Sequence, residues 1–324
     1  MDTPVLSIRD LSVQIPTRHG VVRPVDDVSY DIAAGEILGV VGESGAGKSM
    51  AGNAVIGLLT PPAHISTGEI WLNGHRIDQL NNEAMRRLRG KEIGMVFQDP
   101  LTSLNPLLRI GDQLMETMLT HLPISGAEAQ KRAVAALDEV GIPGASQRVN
   151  SYPHEFSGGM RQRVVIALAL CAEPSLLIAD EPTTALDVSV QAQIISLLKG
   201  LCRERGTAVM LITHDMGVIA EATDRVAVMY AGRLAELGPT RDVLTKPQHP
   251  YTHGLMASTP GASHGKSRLH QIPGSMPRLD AVPDGCAFHP RCPYATDKCR
   301  ELPQPHINAG RAACWHPLLK EKVL

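Results

Sequence analysis

Ile37-Leu38-Gly39-Val40-Val41-Gly42-Glu43-Ser44-Gly45-Ala46-Gly47-Lys48-Ser49 decides the fold. Its first five residues are a continuous apolar run, as a strand buried on both faces of a parallel sheet requires. The next eight fit the pattern G-x4-G-K-[ST]. Glycines there let the backbone wrap closely round an anion, with successive N–H groups turned inward. A helical stretch runs on from Lys48 to Leu59, and its N-terminus adds partial positive charge at the same place. Lys48 is expected to reach the β- and γ-phosphates of a nucleotide, and Ser49 to ligate Mg²⁺ through its hydroxyl.

Working outward, Leu176–Ala179, Ala208–Ile212 and Val226–Tyr230 are further buried-strand runs. Between the first two, Val190, Ile194, Leu197, Leu198 and Leu201 follow helical spacing. Strands alternating with helices predict a mostly parallel α/β sheet. Asp180-Glu181 closes the Leu176–Ala179 run, at the strand end where ligands bind in such sheets. Asp180 is expected to hold Mg²⁺, directly or through water, and Glu181 to polarise the attacking water as general base. Taken alone, two acids there fit a capped surface strand equally well.

The middle third reads as an all-helical insertion from about Leu107 to Val149, with Met115, Leu119, Ala133, Leu137 and Val140 at helical intervals. Gly141 and Pro143 end it. After about Thr245, prolines from Pro247 to Pro293 break up any long element and predict a small, loop-rich appendage.

Composition sets the outer bounds. The 324 residues are 43% hydrophobic but only 3% aromatic, so the core must be aliphatic. A formal net charge of -2 with no long basic run gives nucleic-acid binding no electrostatic support. The longest apolar run, near Val164–Ala172, is far short of the roughly 20 residues of a membrane span. Met1-Asp2-Thr3-Pro4 lacks the regions of a signal peptide. The expectation is a cytosolic chain that meets a membrane only by docking onto another chain.

Further motifs resemble the ABC ATPase family. Phe156-Ser157-Gly158-Gly159-Met160 looks like the family signature, with Phe for the first Leu and Met for the last Gln. Gln98 looks like the Q-loop glutamine, Ala185-Leu186-Asp187 like the D-loop, and His214 in Ile212-Thr213-His214-Asp215 like the switch histidine. Singly, each has a bland reading as a turn or surface residue. Together they stand in family order. Where the family stacks an aromatic residue on adenine, Val13-Gln14-Ile15 offers only Ile15.

The resemblance narrows over the whole chain. Phe97–Pro106, Ala179–Gln193, His249-Pro250-Tyr251-Thr252 and Pro290-Arg291-Cys292-Pro293 are similar to ATP-binding subunits of dipeptide and oligopeptide importers. This implies a P-loop NTPase core of RecA type at 1–250, a helical subdomain inserted at about 100–160, and a C-terminal extension at 251–324. It implies an ATPase that binds ATP and Mg²⁺ through Gly42, Glu43, Ser44, Gly45, Ala46, Gly47, Lys48, Ser49, Gln98, Ser157, Gly158, Gly159, Asp180 and Asp187, with Glu181 and His214 catalytic and Ser49, Gln98 and Asp180 near the metal. It implies a heterodimer with a second ABC ATPase, two membrane permeases, an extracytoplasmic peptide-binding protein, and a place on the cytoplasmic face of the inner membrane. Nickel or another small solute is the alternative cargo, since cargo is chosen by the other subunits.

Cys286, Cys292, Cys299 and Cys314 crowd a tail with little apolar material, and small loop-rich units of that kind usually need a staple. Disulfides are disfavoured in a cytosolic chain. Their spacing lacks the paired C-x2-C knuckles typical of zinc, and the resemblance implies a [4Fe-4S] cluster, with zinc or unligated thiols as alternatives. Cys171 and Cys202 read as small buried hydrophobes.

Overall fold

The structure is a computed structural model that describes residues 3–184, 186–258, 271–307 and 311–318. The strands among the described residues are β1 (Leu6–Thr17), β2 (Gly20–Ile32), β3 (Ile37–Val41), β4 (His64–Leu72), β5 (His75–Arg76), β6 (Ile93–Val96), β7 (Leu176–Asp180), β8 (Ala208–Ile212), β9 (Arg225–Tyr230) and β10 (Arg233–Pro239). The chain forms two compact units, one of Met1–Leu6, Ile32–Ile37 and Trp71–Ile212, the other of Ser7–Asp31, Leu38–Ile70 and Thr213–Leu324.

In the first unit β6, β7 and β8 pair in parallel, with Asp180 in register with Ile212. Every residue of β7 and β8 is buried, as their unbroken apolar sequence demands. The expected insertion is helical: Ile110–His121, Gly126–Glu139 and Ala145–Arg148 precede the helix Gly158–Leu170. Ile110, Leu114 and Met118 are the buried stripe of the first of these helices and Ala129, Ala133 and Leu137 that of the second, whereas Met115 is half-buried and Leu119 exposed, so the first helix turns a different face inward than expected. Gly111 lets the Val149 segment approach, since a Cβ there would stand 2.7 Å from Val149 O.

In the second unit β3 pairs in parallel with β9, and β10 returns antiparallel on β9 with an irregularity between Leu234 and Glu236. A separate sheet carries β2, β1 and β4 in that order. The glycine loop opens a helix at Lys48–Val55, shorter than the stretch to Leu59, because Gly57 takes a left-handed φ of 68°.

The tail packs against β9 and β10. Tyr230, Tyr251 and Phe288 meet with ring centroids 4.6 to 5.4 Å apart, so an aliphatic protein places an aromatic cluster where the appendage docks. Glu236, fully buried, accepts N–H groups of Gln248 and His249 at 2.9 Å and Arg311 Nε at 3.1 Å. Ala313 N–H donates to Ala235 O and Leu237 N–H to Arg311 O, both at 2.9 Å, so the end of the chain covers the open edge of β10. Among the described residues no helix is long and apolar enough to cross a membrane.

Candidate functional site

The phosphate-loop sequence forces an unusual backbone. Gly42, Gly45 and Gly47 have φ of 156°, 82° and 102°. Two of them also have no room for a side chain. A Cβ on Gly42 would stand 2.3 Å from Met229 O, and one on Gly47 1.9 Å from Pro24 O. The loop is pinned by Gly232 N–H donating to Ala46 O at 3.0 Å. Ser44 and Gly45 at its crest, and Ser49 on the first helical turn, are exposed. Lys48 is buried, and its Nζ donates to Gly42 O at 2.9 Å and Glu43 O at 3.1 Å. Its charge is thereby held over the loop's own backbone. Such a loop, with a helix N-terminus and an ammonium, suits a polyphosphate.

The first unit holds the acidic pair. Asp180 is buried at the end of β7. Glu181, half-buried, has a φ of 48°, a left-handed conformation that an L-residue occupies only at a cost of roughly 1–3 kcal/mol. Its N–H donates to Ile212 O at 2.8 Å, which fixes the turn. Its Oε2 accepts Gln98 Nε2 at 3.1 Å and Thr184 Oγ1 at 2.9 Å. Gln98 and Glu181, 83 positions apart in the sequence, are thus brought into hydrogen-bond contact, an arrangement in which an amide could orient a carboxylate base. Thr184 escaped the sequence reading. Its position three residues after Glu181, in a turn closed by Thr184 N–H on Glu181 O at 3.1 Å, was the available signal.

Ser157 caps the helix Gly158–Leu170, its Oγ accepting Met160 N–H at 3.4 Å. Phe156, the first departure from the signature, is buried as a plug beneath it. Gly159 is crowded by Val190, 2.8 Å from where its Cβ would lie, whereas nothing approaches Gly158 within 4 Å. Asp187 caps the helix Val188–Arg205 through Val190 N–H at 2.9 Å. Ala185 lies outside the described residues. His214 is exposed between a buried Thr213 and Asp215, which caps the helix Met216–Ala222. Ile15 is half-buried on β1. Of the expected Mg²⁺ residues, Gln98 and Asp180 belong to the first unit and Ser49 to the second.

The tail corrects one expectation. Among the described residues no group of three or more His, Cys, Asp or Glu side chains is placed to hold a metal ion. A [4Fe-4S] cluster on Cys286, Cys292, Cys299 and Cys314 is therefore not supported, and neither is zinc. The four cysteines line a common cavity of only about 10 Å³, barely room for one water. Burial pushes the thiol of Cys286 upward, that of Cys292 up to about 11 and that of Cys314 up to about 12. Cys286 and Cys299 are buried beside Phe288 and Tyr251. The staple that the tail needs is supplied instead by the aromatic contacts and the Glu236–Arg311 pair. Cys171 and Cys202 are buried, as expected.

Comparison with known proteins accords with this geometry. Residues 25–184 match the family model described as ABC transporter, and residues 235–299 match the one described as oligopeptide/dipeptide transporter, C-terminal region. The chain is 49% identical to the oligopeptide transport ATP-binding protein OppD of Salmonella typhimurium, over 97% of this chain and 94% of that one. It is equally 49% identical to the dipeptide transport ATP-binding protein DppD of Bacillus subtilis, over 96% and 94%. Among solved structures, a dimeric ATP-binding cassette in a post-hydrolysis state with ADP and phosphate superimposes with a TM-score of 0.66 at 28% identity, over 73% of this chain and 99% of that one. CbiO1 of Clostridium perfringens, part of an ABC transporter complex, gives 0.66 at 28% identity over 76% and 92%. With near-complete coverage of relatives at such identity, and a phosphate loop, acidic pair and signature in place, the chain belongs to the ABC transporter ATP-binding proteins, in the oligopeptide and dipeptide transport family.

Proposed function

We propose that the chain is the ATP-hydrolysing subunit of an importer that takes dipeptides or oligopeptides across the cytoplasmic membrane. The observation that carries the reading is identity of nearly half the residues with OppD and DppD proteins along almost the whole chain, extension included. The domain division that goes with it is an ATPase domain at 1–250 with its helical subdomain at about 100–160, followed by the extension at 251–324.

Lys48 and loop N–H groups from Ser44 to Ser49 bind the phosphates. Bound Mg²⁺ supplies charge neutralisation on the phosphoryl oxygens, with Ser49, Gln98 and Asp180 as the residues that hold it. Glu181 takes the proton of the attacking water, oriented by Gln98 and Thr184, and His214 assists at the transferred phosphoryl group. Ser157, Gly158 and Gly159 serve the nucleotide of a partner ATPase, and Asp187 faces that partner. The open space over Gly158 supports this, since nothing in the chain itself requires a glycine there. The partners are a second, related ATPase, two permeases and an extracytoplasmic peptide-binding protein, with this subunit peripheral on the cytoplasmic face.

The test is ATP binding, ATP turnover and uptake of a labelled dipeptide by the assembled transporter. Lys48→Ala weakens nucleotide binding because a phosphate contact is lost. Glu181→Gln keeps binding and lowers turnover by two orders of magnitude or more, about 10²–10⁴-fold. Full turnover by Glu181→Gln refutes the assigned base, and turnover without dipeptide uptake refutes the cargo.

A further inference from the structure

With no metal to serve, the Pro290-Arg291-Cys292-Pro293 motif needs another reason for its arginine. Arg291 is almost wholly buried, with its side chain 7% exposed, and it reaches back nearly 250 positions to the phosphate loop. Its Nη1 contacts both carboxylate oxygens of Glu43, at 2.9 and 3.2 Å. The guanidinium is fixed on its other sides. Nε donates to Pro273 O at 2.8 Å, Nη1 also to Tyr230 Oη at 3.3 Å, and the group lies 5.8 and 5.9 Å from the Tyr230 and Phe288 ring centres. Tyr251, fully buried, takes the other end of the same residue, its Oη accepting the Glu43 N–H at 3.0 Å. Met276 Cε lies 3.2 Å from where a Cβ on Gly45 would sit. The appendage thus holds both the backbone and the side chain of the second residue of the loop.

Charge explains why it does so. Glu43 puts a carboxylate into a loop built to receive phosphate, and a like charge at such range repels the ligand. Its N–H, which could otherwise face an anion, is committed to Tyr251. We propose that Arg291 and Tyr251 are positioning residues for nucleotide binding: Arg291 neutralises Glu43 and, with Tyr251, turns it away from the phosphates, so the C-terminal extension sets the subunit's affinity for ATP. The proposal rests on the phosphate loop binding nucleotide. The pairing itself is not legible in the sequence, since the x positions of G-x4-G-K-[ST] carry no requirement of their own.

Opposite substitutions separate charge from mere support. The full chain is titrated with Mg²⁺ and a non-hydrolysable ATP analogue at about 50 and 300 mM salt. Arg291→Ala, which leaves the carboxylate bare, weakens binding about tenfold at low salt and less at high salt. Glu43→Gln, which leaves the arginine bare, binds more tightly than the unaltered chain at low salt and loses that gain at high salt. The double variant Glu43→Gln/Arg291→Ala recovers to within about threefold of the unaltered chain. Equal weakening by both single substitutions, with no recovery in the double, overturns the proposal and makes the contact a structural brace. Unchanged binding by Arg291→Ala overturns it as well. If Arg291→Ala fails to fold, Glu43→Gln decides alone, and unchanged or weakened binding there refutes it. An unaltered chain that binds no analogue refutes the nucleotide reading itself, a result distinct from all of these.

Discussion

Single glycines carry different burdens in this protein, and the burdens predict opposite mutant behaviour. Gly47 combines a φ of 102° with a carbonyl 1.9 Å from the place of a Cβ. Gly47→Ala adds left-handed strain of roughly 1–2 kcal/mol to a backbone clash that cannot relax cheaply. A fall of several degrees in melting temperature and loss of ATP binding are the expected results in a thermal melt with and without nucleotide. Gly158 has open space above it and sits at the start of a helix. Gly158→Ala leaves the chain as stable as before or more so, by up to about 1 kcal/mol. In the assembled transporter the same substitution is expected to lower turnover if, as proposed, the open space receives a partner's nucleotide. A drop in both stability and turnover would make Gly158 a structural glycine. Glu181 shows strain of another kind. Its left-handed backbone is held by Ile212 and its carboxylate by Gln98 and Thr184, so the turn aims the side chain before any ligand arrives.

At the scale of elements, helix starts carry much of the chemistry. Ser157, Asp187 and Asp215 each accept an N–H of the helix they open, and all three also stand in family motifs. The cap and the motif role of Asp187 are separable. Asp187→Ala lowers stability by about 1 kcal/mol, whereas Asp187→Asn keeps the cap. If the carboxylate also serves the partner subunit, Asp187→Asn melts like the unaltered chain yet hydrolyses ATP more slowly in the complex. Equal turnover restricts Asp187 to capping. The helical insertion was legible because its apolar residues repeat at helical intervals and one stripe of it is buried. The sheet of β1, β2 and β4 was less legible, since half-buried strands with many polar residues give a weak alternation.

At the scale of the molecule, the extension is held by a buried carboxylate and a buried imidazole rather than by a metal. Arg311→Met leaves Glu236 uncompensated where no solvent reaches it, a change worth about 3–5 kcal/mol. Limited proteolysis is expected to release fragments beginning near residue 245 in that variant and not in the unaltered chain. The second handle is pH. His249 Nδ1 accepts Tyr251 N–H at 3.0 Å, which requires the neutral ring, and burial pushes it down to about 3. Unfolded chain takes up a proton from about pH 6.5 downward while the folded one does not, so this contribution is complete above 6.5 and is lost as pH falls. Glu236 runs the other way, its carboxyl raised by burial, and opposes the loss only near its own higher range. Between pH 7.5 and 5.5 the histidine's own contribution to docking of the extension falls by about 1.4 kcal/mol. His249→Asn, which keeps a side-chain acceptor, flattens that dependence in melts at the two pH values. A protein equally stable at both would rule out the histidine as the cause.

The sequence by itself determined the phosphate loop, the acidic strand end, the order of the family motifs and the helical insertion. Each rests on local spacing and residue type, and spacing survives without knowledge of partners. Tertiary structure decided what those residues touch. It joined Gln98 to Glu181, added Thr184, and tied Glu43 to Arg291 and Tyr251 across more than 200 positions. It also withdrew the metal from the tail, because cysteine counting records that thiols are near in sequence but not how deeply they are buried or how much space they enclose. Long-range pairs of this kind leave no periodic trace in a single chain, so only folding reveals them.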